Sequence, residues 1–198
     1  EHSRIVEVLS LAVGADRLEV DCCIDWHEHA TLVKVHLPLA LAAADSRAEI
    51  QFGHVRRSTH ANTGWDAARF ETSMQRWVDL SEADFGVALL NDCKYGYDAR
   101  GNRLRLTLLK SPVDPWPDAD QGEHRCRYAV MPHGGFARDG GRVIAAAEDF
   151  NMPLRLVGSG APATAALSPP VTLEGDGIVV EAVKPAEAGD GLIVRLFE

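Results

Sequence analysis

Hydrophobic and polar positions alternate over short stretches of this chain, the period of half-buried β-strands rather than of helices. In His124–Met131, His124, Cys126, Tyr128 and Val130 share one face while Arg125 and Arg127 take the other. In Arg103–Leu109, Leu104, Leu106 and Leu108 oppose Arg103, Arg105 and Thr107. Further strand-like runs are RIVEVLSLAV, RLEVDCCIDW, ATLVKVHLPLAL, EIQFGHV and GVALL, with GIVVEAV and GLIVRLF near the end. Strands of this kind belong to antiparallel sheets with one wet side. A single short helix is expected over Arg142–Phe150, with Asp139 and Gly140 as caps and Asn151 and Pro153 ending it. WDAARFETSMQRWVDL fits a helical turn or a strand, and the alternation of Phe70, Thr72, Met74 and Val78 favours strand from about Phe70 on. After Leu156, VGSGAPATAALSPP reads as a surface connection. The expected fold class is therefore all-β: a large sandwich over residues 1–156, then a linker and a smaller β unit over residues 157–198.

Composition narrows the partners. Hydrophobic residues make up 46% and charged residues 25% of the 198, values of an ordinary folded domain. A formal net charge of −9, with no run of Lys and Arg, argues against nucleic acid and anionic membrane surfaces. No stretch has the roughly 20 apolar residues of a membrane helix, and EHSRIVEV lacks the regions of a signal peptide. Cys22 and Cys23 point to opposite faces of one strand, and with Cys93 and Cys126 they form no CxxC pair. Reduced thiols in a cytoplasmic protein are the expectation.

Three constellations carry chemistry. WHEH would aim His27 and His29 at one face of a strand, but a zinc site needs a further ligand that no HExxH-like pattern supplies. HANTGWD gathers His60, Asn62, Trp65 and Asp66, which suits sugar recognition by an indole face and a carboxylate; equally, it suits an Asn-Thr-Gly turn anchored by a core Trp. NDCKYGYDARGN places Asp92, Lys94, Tyr95 and Tyr97 between two strands that a two-residue turn would join. Asp92 can close an Asx turn, Gly96 can bend, and Arg100-Gly101-Asn102 resembles a hairpin tip. Ordering a lysine and two tyrosines on a loop is costly unless they dock on a neighbouring domain or hold a ligand. No GxSxG, GxGxxG, P-loop or Cys-His signature is present.

Taken together, AEIQFGHVRRSTHANTGWDAARFE, QRWVDLSEADFGVALLNDCKYGYDARGNRLRLTLLKSPVDPWPDADQGEHRCRYAVMPHGG, NMPL and VEAVKPAEAGDGLIVRLFE resemble the C-terminal region of glycoside hydrolase family 38 α-mannosidases, chiefly the cytosolic and bacterial branch. DWHEHATLVKVHLPL extends the resemblance back to about Asp25. The likeness implies a galactose-mutarotase-like large sandwich followed by a small β-sandwich. It further implies that zinc, the aspartate nucleophile and the acid/base carboxylate of a retaining enzyme lie in an N-terminal α/β barrel, joined to the β region by a helical bundle. No catalytic or metal-binding residue is therefore assigned here, and the isolated chain is expected to be inactive.

On this likeness the loop matching NDCKYGYD projects toward the barrel and borders the mannoside cleft. Asp92 would fix the loop and Gly96 permit its bend, with Lys94, Tyr95 and Tyr97 facing the sugar or the barrel. His60, Asn62, Trp65 and Asp66 would form a secondary contact with sugar or barrel. Ser58 stands where the family usually has proline, and Ala67 where tryptophan is frequent, which predicts a more mobile HANTGWD loop. Apolar surface that the barrel once met would invite self-association into a homo-oligomer. The rival reading is a stand-alone carbohydrate-binding sandwich with Trp65, Asp66 and Tyr95 lining a sugar site.

Overall fold

The structure, a computed structural model, describes residues 2–155, 171–174 and 178–197. The expected linker over 157–170 lies outside the described residues. Two compact units are present, Glu1–Pro153 and Leu154–Glu198.

The first unit packs two antiparallel sheets. Strands β1 (Arg4–Ser10), β2 (Leu18–Trp26), β3 (Thr31–Pro38), β4 (Asp45–Ile50) and β5 (Gly53–Ser58) precede a one-turn helix α1 (Gly64–Ala68). There follow β6 (Thr72–Ser73), β7 (Trp77–Ser81), β8 (Gly86–Asn91), β9 (Gly96–Arg100), β10 (Arg103–Ser111), β11 (Gly122–His133) and helix α2 (Phe136–Asn151). The larger sheet has seven strands in the order β1-β2-β11-β8-β7-β4-β5, and the smaller has four in the order β3-β10-β9-β6. In the second unit β12 (Val179–Pro185) pairs with β13 (Leu192–Phe197).

The alternation read from sequence builds the core between the sheets. Val20, Cys22, Ile24 and Trp26 face Leu104, Leu106 and Leu108, and Cys126 and Tyr128 join them. At the sandwich end the Trp26 indole donates to Ser111 Oγ at 3.1 Å, so the indole is buried without an orphaned N–H. A bulge at Thr107/Leu109 turns both Leu108 and Leu109 inward.

A second core lies on the other face of the larger sheet. Val143, Ala146, Ala147 and Phe150 recur at helical spacing on α2 and pack on Trp77, Ala88, Leu90, Ala129 and Met131. For this reason β8 is buried on both faces along its whole length.

The structure corrects four sequence expectations. Helix α2 begins at Phe136 rather than Arg142, so Asp139 and Gly140 lie inside it. Two consecutive glycines are poor helix formers, but a Cβ at Gly140 would sit 2.9 Å from the Phe136 ring, so packing overrides propensity. EIQFGHV is the tip of the β4–β5 hairpin, turning at Gln51–Phe52 with Phe52 at φ 56°, not one strand. Phe70 is exposed, and the expected long strand is broken into β6 and β7 because the chain there crosses from the smaller sheet to the larger. Glu49 holds that crossing, accepting from the Arg76 backbone N–H at 2.7 Å and from its Nε at 3.0 Å. Finally, β2 ends at Trp26, so His27 and His29 lie beyond the strand and do not share a face of it.

A buried histidine–aspartate contact explains one further glycine. The Nε2 of His133 on β11 lies 2.7 Å from Asp79 Oδ2 on β7, with both side chains fully buried. Ser81 also donates to Asp79, at 2.6 Å. Strand β8 runs between those two strands, and a Cβ at Gly86 would stand 2.6 Å from His133 Cε1. Only glycine lets the imidazole reach over the middle strand.

Candidate functional site

The stretch Asn91–Asn102 is not an overlong hairpin. Strand β8 ends at Asn91 in the seven-stranded sheet, and β9 begins at Gly96 in the four-stranded one, so residues 92–95 carry the chain from one sheet to the other. The hairpin read at Arg100-Gly101-Asn102 is real: it joins β9 to β10, with Gly101 at φ 57°.

Both ends of the crossing are tied down. Asn91, 1% exposed, donates through Nδ2 to the Gln75 carbonyl at 2.7 Å and accepts the Lys94 N–H on Oδ1 at 2.8 Å. Asn91, not Asp92, therefore supplies the side-chain turn. The Asn91 carbonyl in turn accepts from Asn151 Nδ2 of α2 at 2.9 Å. Asp92 fixes the loop to β11, with Oδ1 accepting the Arg127 N–H at 2.9 Å and Oδ2 accepting from its Nε at 3.4 Å. The Arg127 guanidinium continues to the Phe150 carbonyl at 2.9 Å and lies over the Phe150 ring at 4.7 Å. Asparagine at position 91 was the residue missed in the sequence. Its signal was a polar side chain closing an otherwise apolar, doubly buried strand.

On this fixed backbone Tyr95 is 57% exposed, and among the described residues only its carbonyl is engaged, by the Met74 N–H at 2.9 Å. Lys94 is half-buried, and its ammonium has no hydrogen-bond or ion-pair partner among the described residues. The charge of Lys94 favours the thiolates of Cys22, Cys93 and Cys126. Partial desolvation nevertheless outweighs it, and the Cys126 thiol is pushed up to about 12.

Tyr97 is set apart from these two. At 1% exposure it points into the core, where Arg57 donates to its hydroxyl at 3.1 Å and Ser46 Oγ lies 3.3 Å away. Gly96 has no left-handed φ, so bend is not its role. A Cβ there would meet Glu71 Oε1 at 2.6 Å and Thr107 Cβ at 3.1 Å, so Gly96 is needed for space. The Glu71 carboxylate belongs to a network on the outer face of the smaller sheet. Lys34 reaches Glu71 at 3.2 Å and the buried Asp98 at 2.7 Å, and Arg105 Nε meets Asp98 at 2.8 Å. Arg105 and Asp98 are cross-strand partners, so the pair was readable once the hairpin was.

The HANTGWD segment folds as a helix start. Thr63 caps α1 in a reciprocal box with Asp66, whose backbone N–H donates to Thr63 Oγ1 at 3.1 Å. Ser58 Oγ also donates to Asp66, at 2.7 Å. The Thr63 and Ser58 hydroxyls together hold the Asp66 carboxyl below its ordinary value. Ser58 thus tethers the start of α1 to the end of β5. Arg100 donates to the His60 carbonyl at 2.9 Å and the Asp66 carbonyl at 2.9 Å, locking the loop to the end of β9. His60 Nδ1 stands 3.7 Å from Asp66 Oδ2, and the Asn62 N–H approaches His60 Nδ1 at 3.5 Å. Trp65 is not a core anchor: it is 81% exposed.

The two predicted groups meet at Asp66 and Tyr97, which line one small cavity with Ser46, Arg57 and Ser58. Their exposed rings are apart: Tyr95 precedes β9 and Trp65 is held near Arg100 at its far end, a separation of roughly 17 Å at strand rise. His27 Nε2 pairs with Asp25 at 2.8 Å and His29 Nδ1 with the Pro117 carbonyl at 3.1 Å. Among the described residues no three His, Cys, Asp or Glu side chains are grouped to hold a metal ion. No helix among them is long and apolar enough to cross a membrane.

Comparison with known proteins adds ancestry to this geometry. Residues 1–118 match the glycosyl hydrolases family 38 C-terminal domain. Over 200 residues the chain is 42% identical to "Alpha-mannosidase 2C1" of Homo sapiens, covering 100% of this chain and 19% of that protein. To "Alpha-mannosidase G" of Dictyostelium discoideum it is 37% identical over 202 residues, covering 100% of this chain and 18% of the relative. The solved structure of an α-mannosidase from Enterococcus faecalis V583 superposes with a TM-score of 0.79 at 19% identity, covering 97% of this chain and 23% of that one; this likeness shows the fold. The chain spans less than a fifth of the length of either curated relative.

Proposed function

Because the chain belongs to glycoside hydrolase family 38, as the C-terminal domain of its α-mannosidases, we propose that it supports a retaining enzyme that removes terminal α-D-mannosyl residues from oligosaccharides. On this reading the catalytic carboxylates and zinc belong to a barrel elsewhere in the polypeptide, joined through a helical bundle, and the β region is non-catalytic. Its direct contribution is the wall formed by Lys94 and Tyr95 at the substrate cleft.

The observation that carries this role is the pairing of a fixed backbone with uncommitted side chains. Asn91 and Asp92 use their polar groups to immobilise the crossing, while the Lys94 ammonium and most of the Tyr95 ring are left unengaged. A loop ordered before binding spares the entropy that contact with a sugar or a neighbouring domain would otherwise cost. An ammonium and a phenol suit hydroxyl-rich mannosides, the amine donating to sugar oxygens and the ring packing on pyranose C–H groups. Asp92 and Tyr97 act behind this surface, the first as tether and the second as core support.

The rival, a free-standing sugar-binding module, requires Trp65, Asp66 and Tyr95 to converge. Their separation along β9 and the engagement of Asp66 in its capping box favour the cleft-wall reading. Trp65 and His60 then serve as a secondary contact with the barrel or with a distant sugar. The four unpaired thiols support a reducing, cytoplasmic setting.

The test is kinetic, in the full-length enzyme. Lys94→Ala and Tyr95→Ala should raise KM or lower kcat on oligomannosides by about fivefold or more, the worth of one lost hydrogen bond or stacking contact. Kinetics unchanged in both variants would refute the assignment. Titration of the isolated chain with mannose and mannobiose addresses the rival, which demands saturable binding.

A further inference from the structure

A small polar cavity lies on the flank where β5 and β6 are the outer strands. Arg57 of β5 clasps that flank. Its Nη1 donates to the Ser73 carbonyl of β6 at 2.9 Å and to the Tyr97 hydroxyl at 3.1 Å, and the guanidinium stands 5.8 Å from the centre of the Tyr97 ring. The clasp uses one nitrogen of the guanidinium. Nε and Nη2 make no hydrogen bond among the described residues. Arg69, which ends α1, lines the same cavity, and its guanidinium has no partner among the described residues either.

These two cations lack counter-charges in an acidic chain, where Asp and Glu number 29 against 20 Lys and Arg. Nearby cations are matched: Arg56 pairs with Asp45, and Lys34 and Arg105 pair with Asp98. Asp98, which also borders the cavity, is therefore already neutralised. The other carboxylate there, Asp66, accepts from Ser58 on one oxygen and from Thr63 on the other, both at 2.7 Å. Two guanidiniums against that one carboxylate leave a positive charge in excess. Arg57 is half-buried, and a charge withdrawn from water calls for a partner.

We propose that this cavity binds the phosphate monoester of a hexose, with phosphate oxygens held by Arg57 and Arg69 and the pyranose packed on Trp65. The guanidinium fork matches tetrahedral oxyanions. The hydroxyls of Ser46, Thr72 and Tyr97 line the interior and can join in holding the phosphate. At about 20 Å³ the cavity exceeds the roughly 10–15 Å³ that one water needs, so it admits an oxygen or two while the rest of the ligand lies at the mouth. A water in that place satisfies hydroxyls but leaves the positive charge unmatched. Trp65 precedes Arg69 by four residues, about one helical turn, so its exposed indole stands on the Arg69 side of α1. There an indole face can take the C–H groups of a sugar whose phosphate enters the cavity. The proposal stands on this cavity and not on the cleft role of Lys94 and Tyr95.

The experiment is calorimetric titration of the full-length enzyme with inorganic phosphate and with glucose 6-phosphate, in wild type, Arg69→Gln and Trp65→Ala. Both replaced side chains are exposed, so neither variant removes a core contact. Wild type should bind both ligands saturably. Arg69→Gln should weaken both by about tenfold or more, the worth of a hydrogen bond to a charged group. Trp65→Ala should weaken glucose 6-phosphate by about threefold or more and leave inorganic phosphate unchanged. Absence of saturable binding, binding unaffected by Arg69→Gln, or equal effects of Trp65→Ala on the two ligands overturns the proposal. Because no readout involves mannoside turnover, this cavity and the cleft wall fail independently.

Discussion

Removing the Asn91 carboxamide tests whether the sheet crossing is rigid by construction. Asn91→Ala leaves the Lys94 N–H without its acceptor at 2.8 Å and the Gln75 carbonyl without its donor at 2.7 Å. An unsatisfied buried group costs about 1–3 kcal/mol, and since Lys94 and Gln75 are themselves half-buried, the lower end applies to each, about 2–3 kcal/mol together. The share at Lys94, about 1–1.5 kcal/mol, corresponds to roughly tenfold more frequent opening of that amide. Residue-resolved hydrogen exchange in the full-length enzyme reads it directly. Asn91→Asp is the control. It keeps an oxygen for the Lys94 N–H but turns an acceptor toward the Gln75 carbonyl, so it should lower the melting temperature while Lys94 stays protected. The reasoning fails if Asn91→Ala leaves Lys94 exchange unchanged, or if both variants accelerate it equally.

Further outcomes are expected elsewhere. Gly86→Ala drives a methyl against Ser81 Oγ and the His133 imidazole, both of which contact Asp79, and should cost about 1–3 kcal/mol as overpacking; a stability equal to wild type by chemical denaturation would contradict the packing. Gly96→Ala drives the methyl into Glu71 and should cost about 1–3 kcal/mol as overpacking, with a melting temperature equal to wild type as the contrary result. The Asp66 carboxyl has a folded value below its ordinary 3.8, so its contribution is complete above about pH 4 and is lost as pH falls through the folded value. Exchange at the start of α1 should quicken on acidification through that window in wild type, and Asp66→Asn should abolish the pH dependence. With its thiol pushed from 9.0 to about 12, native Cys126 should alkylate roughly a thousandfold more slowly than an unperturbed thiol below pH 9; labelling at the unfolded rate would show the thiol is not desolvated.

What the sequence disclosed, and what it withheld, divides along the range of the interactions. The alternation in Arg103–Leu109 and His124–Met131 is local, and the faces it assigns are the faces observed. The helix start at Phe136 was hidden because the reason for it, the contact of that ring with Gly140, is a packing fact that overrides the local preference of two glycines. Gly96 illustrates the same limit at the candidate site. From sequence a glycine between two tyrosines is a hinge, but its neighbours Glu71 and Thr107 arrive from other elements and turn it into a clearance. Strand alternation likewise assigns Tyr95 and Tyr97 to one face, yet Gly96 begins β9, so only Tyr97 obeys the strand and is drawn into the core, while Tyr95 remains on the crossing and exposed. The boundary between loop and strand, one residue wide, thereby separates a side chain available to a substrate from one that holds the sheets together. That boundary is set by Asn91 and Asp92, whose partners Gln75 and Arg127 lie 16 and 35 residues away along the chain.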